Sequence, residues 1–214
     1  MFIYRPEIRH SSGTPVIALL LITLLLLSGC ETTPSRITAD NTPADWSQRE
    51  KAILAFSQWH LQGKLAVTQA NRSDSLLINQ WRQDKTSFDI HVSSALLGLG
   101  ATRIEGSPEY IGLHQPDEDP LYSDTPELLL LQTLGWTLPL ESLAYWVKGI
   151  PAPNQPAKLE FDTAGLPYHL TQSDWQIELE RYRPVENMML PHKITMSRKD
   201  VRLRVVITDW MALR

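Results

Sequence analysis

Few residues in this chain are placed to do covalent chemistry. Its one cysteine, Cys30, follows Leu27-Ser28-Gly29 directly, and a single thiol excludes a disulfide scaffold. The six histidines are scattered: His10 sits in the amino-terminal segment, while His60 and His91 fall on the polar side of alternating patterns. There they read as solvated residues rather than as ligands or bases. Asp117-Glu118-Asp119 could touch a cation, but it reads as an acidic turn. No Gly-x-Ser-x-Gly elbow, phosphate loop or His-Glu-x-x-His pattern is present. The residues therefore offer no catalytic set, no metal site and no cofactor site, so the chain is not expected to be an enzyme. A formal charge of −4 without a long Lys/Arg run argues against a nucleic-acid partner.

What must position Cys30 lies upstream of it. Arg5 and Arg9 give a basic start, and Val16 to Leu27 is an apolar run broken only by Thr23. That run is short of the roughly 20 apolar residues a spanning helix needs, and it has the length and charge of a signal-peptide core. At its end, Leu27-Ser28-Gly29-Cys30 resembles the lipobox of bacterial lipoproteins. The resemblance implies that the Cys30 thiol takes a diacylglyceryl group by thioether formation. Cleavage before Cys30 then frees an amine that accepts an N-acyl chain. The alternative is an ordinary signal peptide with a chance cysteine. Glu31 stands where an Asp would signal inner-membrane retention, which implies export to the outer membrane. Residues 1–29 leave as the signal peptide and take a net +1 (Arg5, Arg9, Glu7) with them, so the mature charge becomes −5. Such a chain is held by its acyl groups and not by attraction to anionic headgroups.

The whole chain, 214 residues with 43% hydrophobic and 21% charged content, excludes disorder and suffices for one fold. Residues 30–44 read as the acylated cysteine and a polar tether of roughly 20 Å. Asp45 and Gln48 are spaced as a capping box. Trp46, Ile53 and Phe56 share one side of the helix that follows. From Trp59 the period becomes two. Trp59, Leu61, Leu65 and Val67 form one such face, and so do Phe88, Ile90 and Val92. Trp175, Ile177 and Leu179 form another, as do Val201, Leu203, Val205 and Ile207. Turn signals at Asn71–Asp74, Gln83-Asp84, Gly106–Pro108, Pro116–Asp119 and Thr163–Gly165 separate these runs and predict one large antiparallel sheet, apolar on one face. Two short helices interrupt it. Thr125-Pro126-Glu127 starts the first, which Gly135 ends, and the second fits Pro139–Lys148 with Gly149 as its stop. Pro151, Pro153 and Pro156 enforce an extended exit. The domain is expected to run over residues 45–214.

An apolar sheet face and two apolar helices either fill one core or, if the sheet curves strongly, lid a cavity. Periodicity does not separate the two. Ser93-Ser94-Ala95-Leu96-Leu97-Gly98-Leu99-Gly100 lies where one strand turns into the next, and turns are normally polar. Its leucines either tuck into the core or form an exposed tip for a membrane or partner.

These segments together resemble the LolB family of outer-membrane lipoproteins. The likeness rests on Trp59-x-Leu61-x-Gly63-Lys64-Leu65-Ala66-Val67, Leu97-Gly98-Leu99-Gly100-Ala101-Thr102 and Tyr122-Ser123-Asp124-Thr125-Pro126-Glu127-Leu128-Leu129. It also rests on Leu134-Gly135-Trp136-x-Leu138-Pro139, Tyr145-Trp146-Val147-Lys148-Gly149-x-Pro151-x-Pro153 and Leu190-Pro191-x-Lys193-Ile194. The resemblance implies a mainly β fold, an unclosed antiparallel β-barrel with short helices as a lid over a hydrophobic cavity. It implies a monomer that takes acylated lipoproteins from a LolA-like periplasmic carrier and inserts them into the outer-membrane bilayer, without nucleotide hydrolysis. The membrane-inserting loop would be Leu96, Leu97 and Leu99. Leu97 matches the family's Leu-Gly, although the loop runs one residue longer here and Ala95 or Leu96 stands in place of a proline. Trp81, Leu129, Leu134, Trp146 and Val147 are the candidates for lining or closing the cavity. Two rivals share these features: a binding module for another lipid or glycolipid, and a scaffold lipoprotein with a filled core.

Overall fold

The computed structural model describes residues 42–69, 72–93, 101–107, 109–134 and 139–213, side chains 72 and 134 excepted. Helix α1 spans Trp46–Ala55, and strands β1 to β6 follow: Gln58–Gln69, Arg72–Asp84, Ser87–Ser93, Thr102–Ser107, Tyr110–His114 and Leu121–Ser123. Helices α2 (Pro126–Leu134) and α3 (Leu140–Trp146) come next. Strands β7 to β13 complete the fold: Ala157–Phe161, Pro167–Gln172, Trp175–Glu180, Arg183–Val185, Met188–Leu190, Lys193–Arg198 and Val201–Ala212.

Eleven strands make one antiparallel sheet in the order β6-β5-β4-β3-β2-β1-β13-β12-β9-β8-β7, and β10 and β11 pair as a separate hairpin. The edges β6 and β7 do not meet, so the sheet is open, as the family resemblance implied. The two longest ladders lie at its centre, where β1 pairs with β2 and with β13. Alternation puts Trp59, Leu61 and Val67 inward on β1, and Leu203, Val205 and Ile207 inward on β13. Gly63 is required where β1 shifts register. A Cβ there would collide with the Val206 carbonyl oxygen, so the bulge depends on the missing side chain.

The helices cover the apolar face. Trp46 of α1 meets Phe161 of β7 edge-on at 5.0 Å, and Ile53 is buried beside it. Pro126 opens α2 and Gly149 stops the chain after α3 at φ +79°, both as expected from their types. Three expectations are corrected. The Asp45–Gln48 capping box does not form: Asp45 makes no side-chain cap and its carboxylate instead pairs with Arg49 at 3.5 Å. Its backbone is already helical, which turns the side chain away from the first amide groups. Residues 72–74 are strand and not turn, because Ser73 and Asp74 already pair with Thr68 and Val67. The turn read at Gln83-Asp84 falls at Lys85-Thr86, with Lys85 at φ 55°, and Gln83 is buried on the apolar face.

Candidate acyl-chain site between helices and sheet

Helix α3 is seated by a wedge and two polar ties. Its apolar stripe of Leu140, Leu143, Trp146 and Val147, continued by Ile150, is buried, and Trp146 lies 5.9 Å from the Trp175 ring of β9. The Trp146 indole donates to Gln172 Oε1 at 2.8 Å. Gln172, only 1% exposed, also accepts from the Ala152 amide at 2.8 Å and donates to the Ala152 and Gln155 carbonyls at 2.8 and 3.2 Å. One amide thus holds both the helix and its proline-rich exit against β8. The second tie is Lys148, which is 4% exposed and donates through Nζ to the Ile53 carbonyl at 3.2 Å and to the Phe56 carbonyl at 3.0 Å. These are carbonyls at the carboxy-terminal end of α1, so the lysine caps that helix and joins it to α3. Burial pulls its pKa down to about 8. Gly149 is needed next to it, since a Cβ would sit 2.9 Å from the Tyr182 hydroxyl.

Helix α2 differs from α3. Leu129 and Leu130 face inward and are buried, while Leu128 and Leu131 are 49% and 48% exposed. A helix apolar on both faces is not a finished surface. Leu121 and Tyr122 of β6 and Tyr110 of β5 are also exposed, with the two tyrosine rings 6.3 Å apart.

Of the cavity candidates, Trp81, Leu129, Trp146 and Val147 are buried in one apolar cluster. They are anchored on opposite halves of the sheet. Trp81 stacks 5.2 Å from Trp59, which lies 5.1 Å from Trp210, whereas Trp146 rests on Trp175. The Leu134 side chain, Cys30, the lipobox residues Leu27, Ser28 and Gly29, and the loop residues Leu96, Leu97 and Leu99 lie outside the described residues. One cavity lies just beyond the end of α3 and another borders the helix itself. The first, of about 480 Å³, is walled by α1, the β7–β8 turn, the β10–β11 hairpin and Lys148. The other, about 320 Å³, lies between Leu140–Tyr145, Gln83 and Phe88.

Among the described residues no group of three or more His, Cys, Asp or Glu able to hold a metal occurs. His91 pairs with Asp89 at 2.9 Å on the outer face, in a chain that runs through Arg103 and Glu105 to His114. Burial pushes the Asp89 carboxyl up, but Arg103 and His91 outweigh it and hold it below the ordinary carboxylate range. His60, expected in solvent, is half-buried with Nε2 enclosed. Sequence reasoning missed Gln172 and Gln83. Their signal was available, since each follows an apolar residue two positions earlier on the inward face (Leu170 and Trp81). Among the described residues no helix is long and apolar enough to cross a membrane.

The family model described as outer membrane lipoprotein LolB matches residues 57–210. An outer-membrane lipoprotein LolB from Marinobacter nauticus is 39% identical over 191 residues, covering 86% of this chain and 91% of that one. Its counterpart from Nitrosococcus oceani is 33% identical over 195 residues, covering 91% and 96%. Among solved structures, a LolA superfamily protein from Nitrosomonas europaea superposes with a TM-score of 0.51 at 8% identity, covering 78% of this chain and 94% of that one. A putative outer membrane lipoprotein-sorting protein domain from Vibrio parahaemolyticus gives 0.50 at 10% identity, covering 77% and 89%. The two solved structures speak to the fold alone.

Proposed function

This chain belongs to the LolB family of outer-membrane lipoproteins, and from that premise we propose that it accepts acylated lipoproteins from a LolA-like periplasmic carrier and releases them into the outer membrane. The observation that carries the reading is an open sheet whose apolar face is covered by short helices and not by a second sheet. An acyl chain of about 15 methylenes costs roughly 12 kcal/mol to hold in water, at about 0.8 kcal/mol per CH₂. Cargo chains therefore cross the periplasm only if each stage replaces one apolar contact by another.

The helices supply that replacement. When α2 and the stripe of α3 lift, the inner sheet face around Trp81 and Trp175 receives acyl chains in place of Leu129, Leu143, Trp146 and Val147. Apolar surface is exchanged and little of it meets water, so no nucleotide has to drive the step. Attachment through acyl groups on Cys30 keeps the receptor at the bilayer, and the leucines of residues 96–99 are the segment that enters it. The lipobox, the loop and the cavity residues are parts of this proposal and stand or fall with it.

The test is direct. A carrier–lipoprotein complex is incubated with the protein, cargo transfer is read by pull-down, and liposomes are then added. Cargo should move first to this protein and then to the liposomes. A folded protein that takes no cargo refutes the reading. Cargo acceptance without release to liposomes would refute the delivery half.

A further inference from the structure

The cavity of about 480 Å³ beside α1 is not part of the helix–sheet interface that the proposed acyl exchange uses. Its walls are Trp46, Ile53, Leu166, Pro167, Met188 and Met189 on the apolar side, with the cations Arg49 and Lys148 among them. No Asp or Glu is among the described residues that line it. A buried ammonium without a counter-ion is costly and is normally satisfied by an anion or by a full set of acceptors. Lys148 has three N–H donors, of which the Ile53 and Phe56 carbonyls take two. Its remaining neighbour of note is the Tyr145 ring face at 5.5 Å, a diffuse attraction only. Arg49 places one guanidinium nitrogen on the Gly165 carbonyl at 2.8 Å and another 3.5 Å from Asp45, which leaves donors of its five unspent. The volume lies within the range of small-molecule sites, and two methionines give the wall an adaptable apolar surface.

We propose that this cavity binds an anionic single-chain amphiphile, with its phosphate or carboxylate head on Lys148 and Arg49 and its chain against Trp46, Ile53 and the β10–β11 hairpin. A neutral diacylglyceryl cargo has no use for the two cations. The site therefore selects a second ligand, and the idea does not rest on cargo transfer.

Dodecyl phosphate, dodecanol and inorganic phosphate are titrated calorimetrically onto the full acylated chain held in phosphatidylcholine nanodiscs, with empty nanodiscs as the blank. Dodecyl phosphate should bind at least about tenfold more tightly than dodecanol, the factor one charge-assisted hydrogen bond is worth. Inorganic phosphate should bind far more weakly than dodecyl phosphate. Arg49→Gln should cut the preference several-fold, and Met189→Trp, which fills the mouth, should weaken dodecyl phosphate. Lys148→Met should abolish the preference; because that lysine also caps α1, the other two variants decide the matter if it does not fold. Equal binding of dodecyl phosphate and dodecanol overturns the proposal. So does inorganic phosphate binding as tightly as dodecyl phosphate, which would mark a bare anion site. Dodecyl phosphate binding that is unchanged in both Arg49→Gln and Met189→Trp removes the ligand from this cavity. Cargo transfer measured on Met189→Trp should be unchanged, which separates this site from the receptor function.

Discussion

Replacing Gln172 by leucine removes the amide that clasps α3 to the sheet without changing much side-chain volume. The Trp146 indole N–H and the Ala152 amide N–H then lose their acceptor and the Ala152 carbonyl loses its donor, all in residues less than a tenth exposed. A buried donor left unpaired costs about 1–3 kcal/mol, and the leucine recovers part of that through packing, so a net loss of about 3 kcal/mol is expected. The Gln155 carbonyl, in an exposed residue, adds little because water replaces its partner. The loss should concentrate in α3 and its exit. Three amides report on it: Val147 bonds Leu143 at 3.0 Å, Gly149 bonds Trp146 at 3.0 Å and Ile150 bonds Tyr145 at 3.3 Å. Their hydrogen exchange should accelerate by about a hundredfold, since each 1.4 kcal/mol is a factor of ten. Denaturant titration should show a smaller global change than these local rates imply. If opening of α3 admits cargo, the variant should also take lipoprotein from the carrier faster than the parent does. Unchanged exchange at all three amides, together with a stability loss under about 1 kcal/mol, would refute the clasp. Faster opening with slower cargo uptake would refute its role as a gate.

Lys148 gives a pH test. Its pKa when folded is about 8, below the usual lysine value of 10.5, so the unfolded chain binds the proton more tightly. The penalty of burying the charge is therefore full below pH 8 and is relieved as pH rises toward 10.5. The stability of the parent minus that of Lys148→Met should rise across this window by up to about 3 kcal/mol, at 1.36 kcal/mol per pKa unit. A flat difference in denaturant titrations from pH 7 to 10 would sink it. Leu97→Glu should keep cargo acceptance and lose most liposome delivery; normal delivery by both Leu96→Glu and Leu97→Glu would remove that loop from the mechanism. Cys30→Ala should abolish membrane attachment while the soluble protein still strips cargo from the carrier, and failure of a folded variant to do so refutes a purely localising role. A fluorescent fatty acid should be taken up beneath the helices, whereas the scaffold reading, with its filled core, requires none.

Alternation carried the sheet faces well because one side is buried. Trp59, Ile90, Ile177 and Val205 each sit inward, in phase with their neighbours. Strict alternation breaks where the backbone does. Ile78 and Trp81 are three residues apart and both face inward, because β2 shifts register between Ile78 and Gln80. No residue type there announces a bulge. Helix ends were legible at Pro126 and Gly149, whose backbone limits leave little choice, and not at Asp45, whose carboxylate had Arg49 as a competing partner. The polar ties were harder to see. Gln172 and Gln83 occupy the apolar phase of their strands, which looks like a flaw in the pattern until the tryptophan beside each is placed. Trp146 donates to Gln172 at 2.8 Å and Trp81 donates to Gln83 at 3.1 Å. Tryptophan on an apolar face brings one donor with it, and a polar residue in the same phase can serve as its acceptor, as at Trp146 and Trp81; the buried Trp59 and Trp210 indoles find no such partner.

Such directional ties separate the two helices that follow β6. The Gln172 and Lys148 ties both belong to α3, so its position is set by directional bonds that fail abruptly when stretched. Helix α2 shows two leucines to the core and two outward, and its packing is apolar and non-directional. Apolar packing has no preferred partner: acyl chains substitute for Leu129 and Leu130 at nearly the same area-dependent free energy, about 25 cal/mol per Å². In the proposed mechanism arriving cargo displaces α2 at little cost, and Leu128 and Leu131 are already exposed before it moves. Displacing α3 requires breaking the Gln172 clasp as well. In the proposed mechanism α2 yields first and α3 sets the depth to which cargo enters.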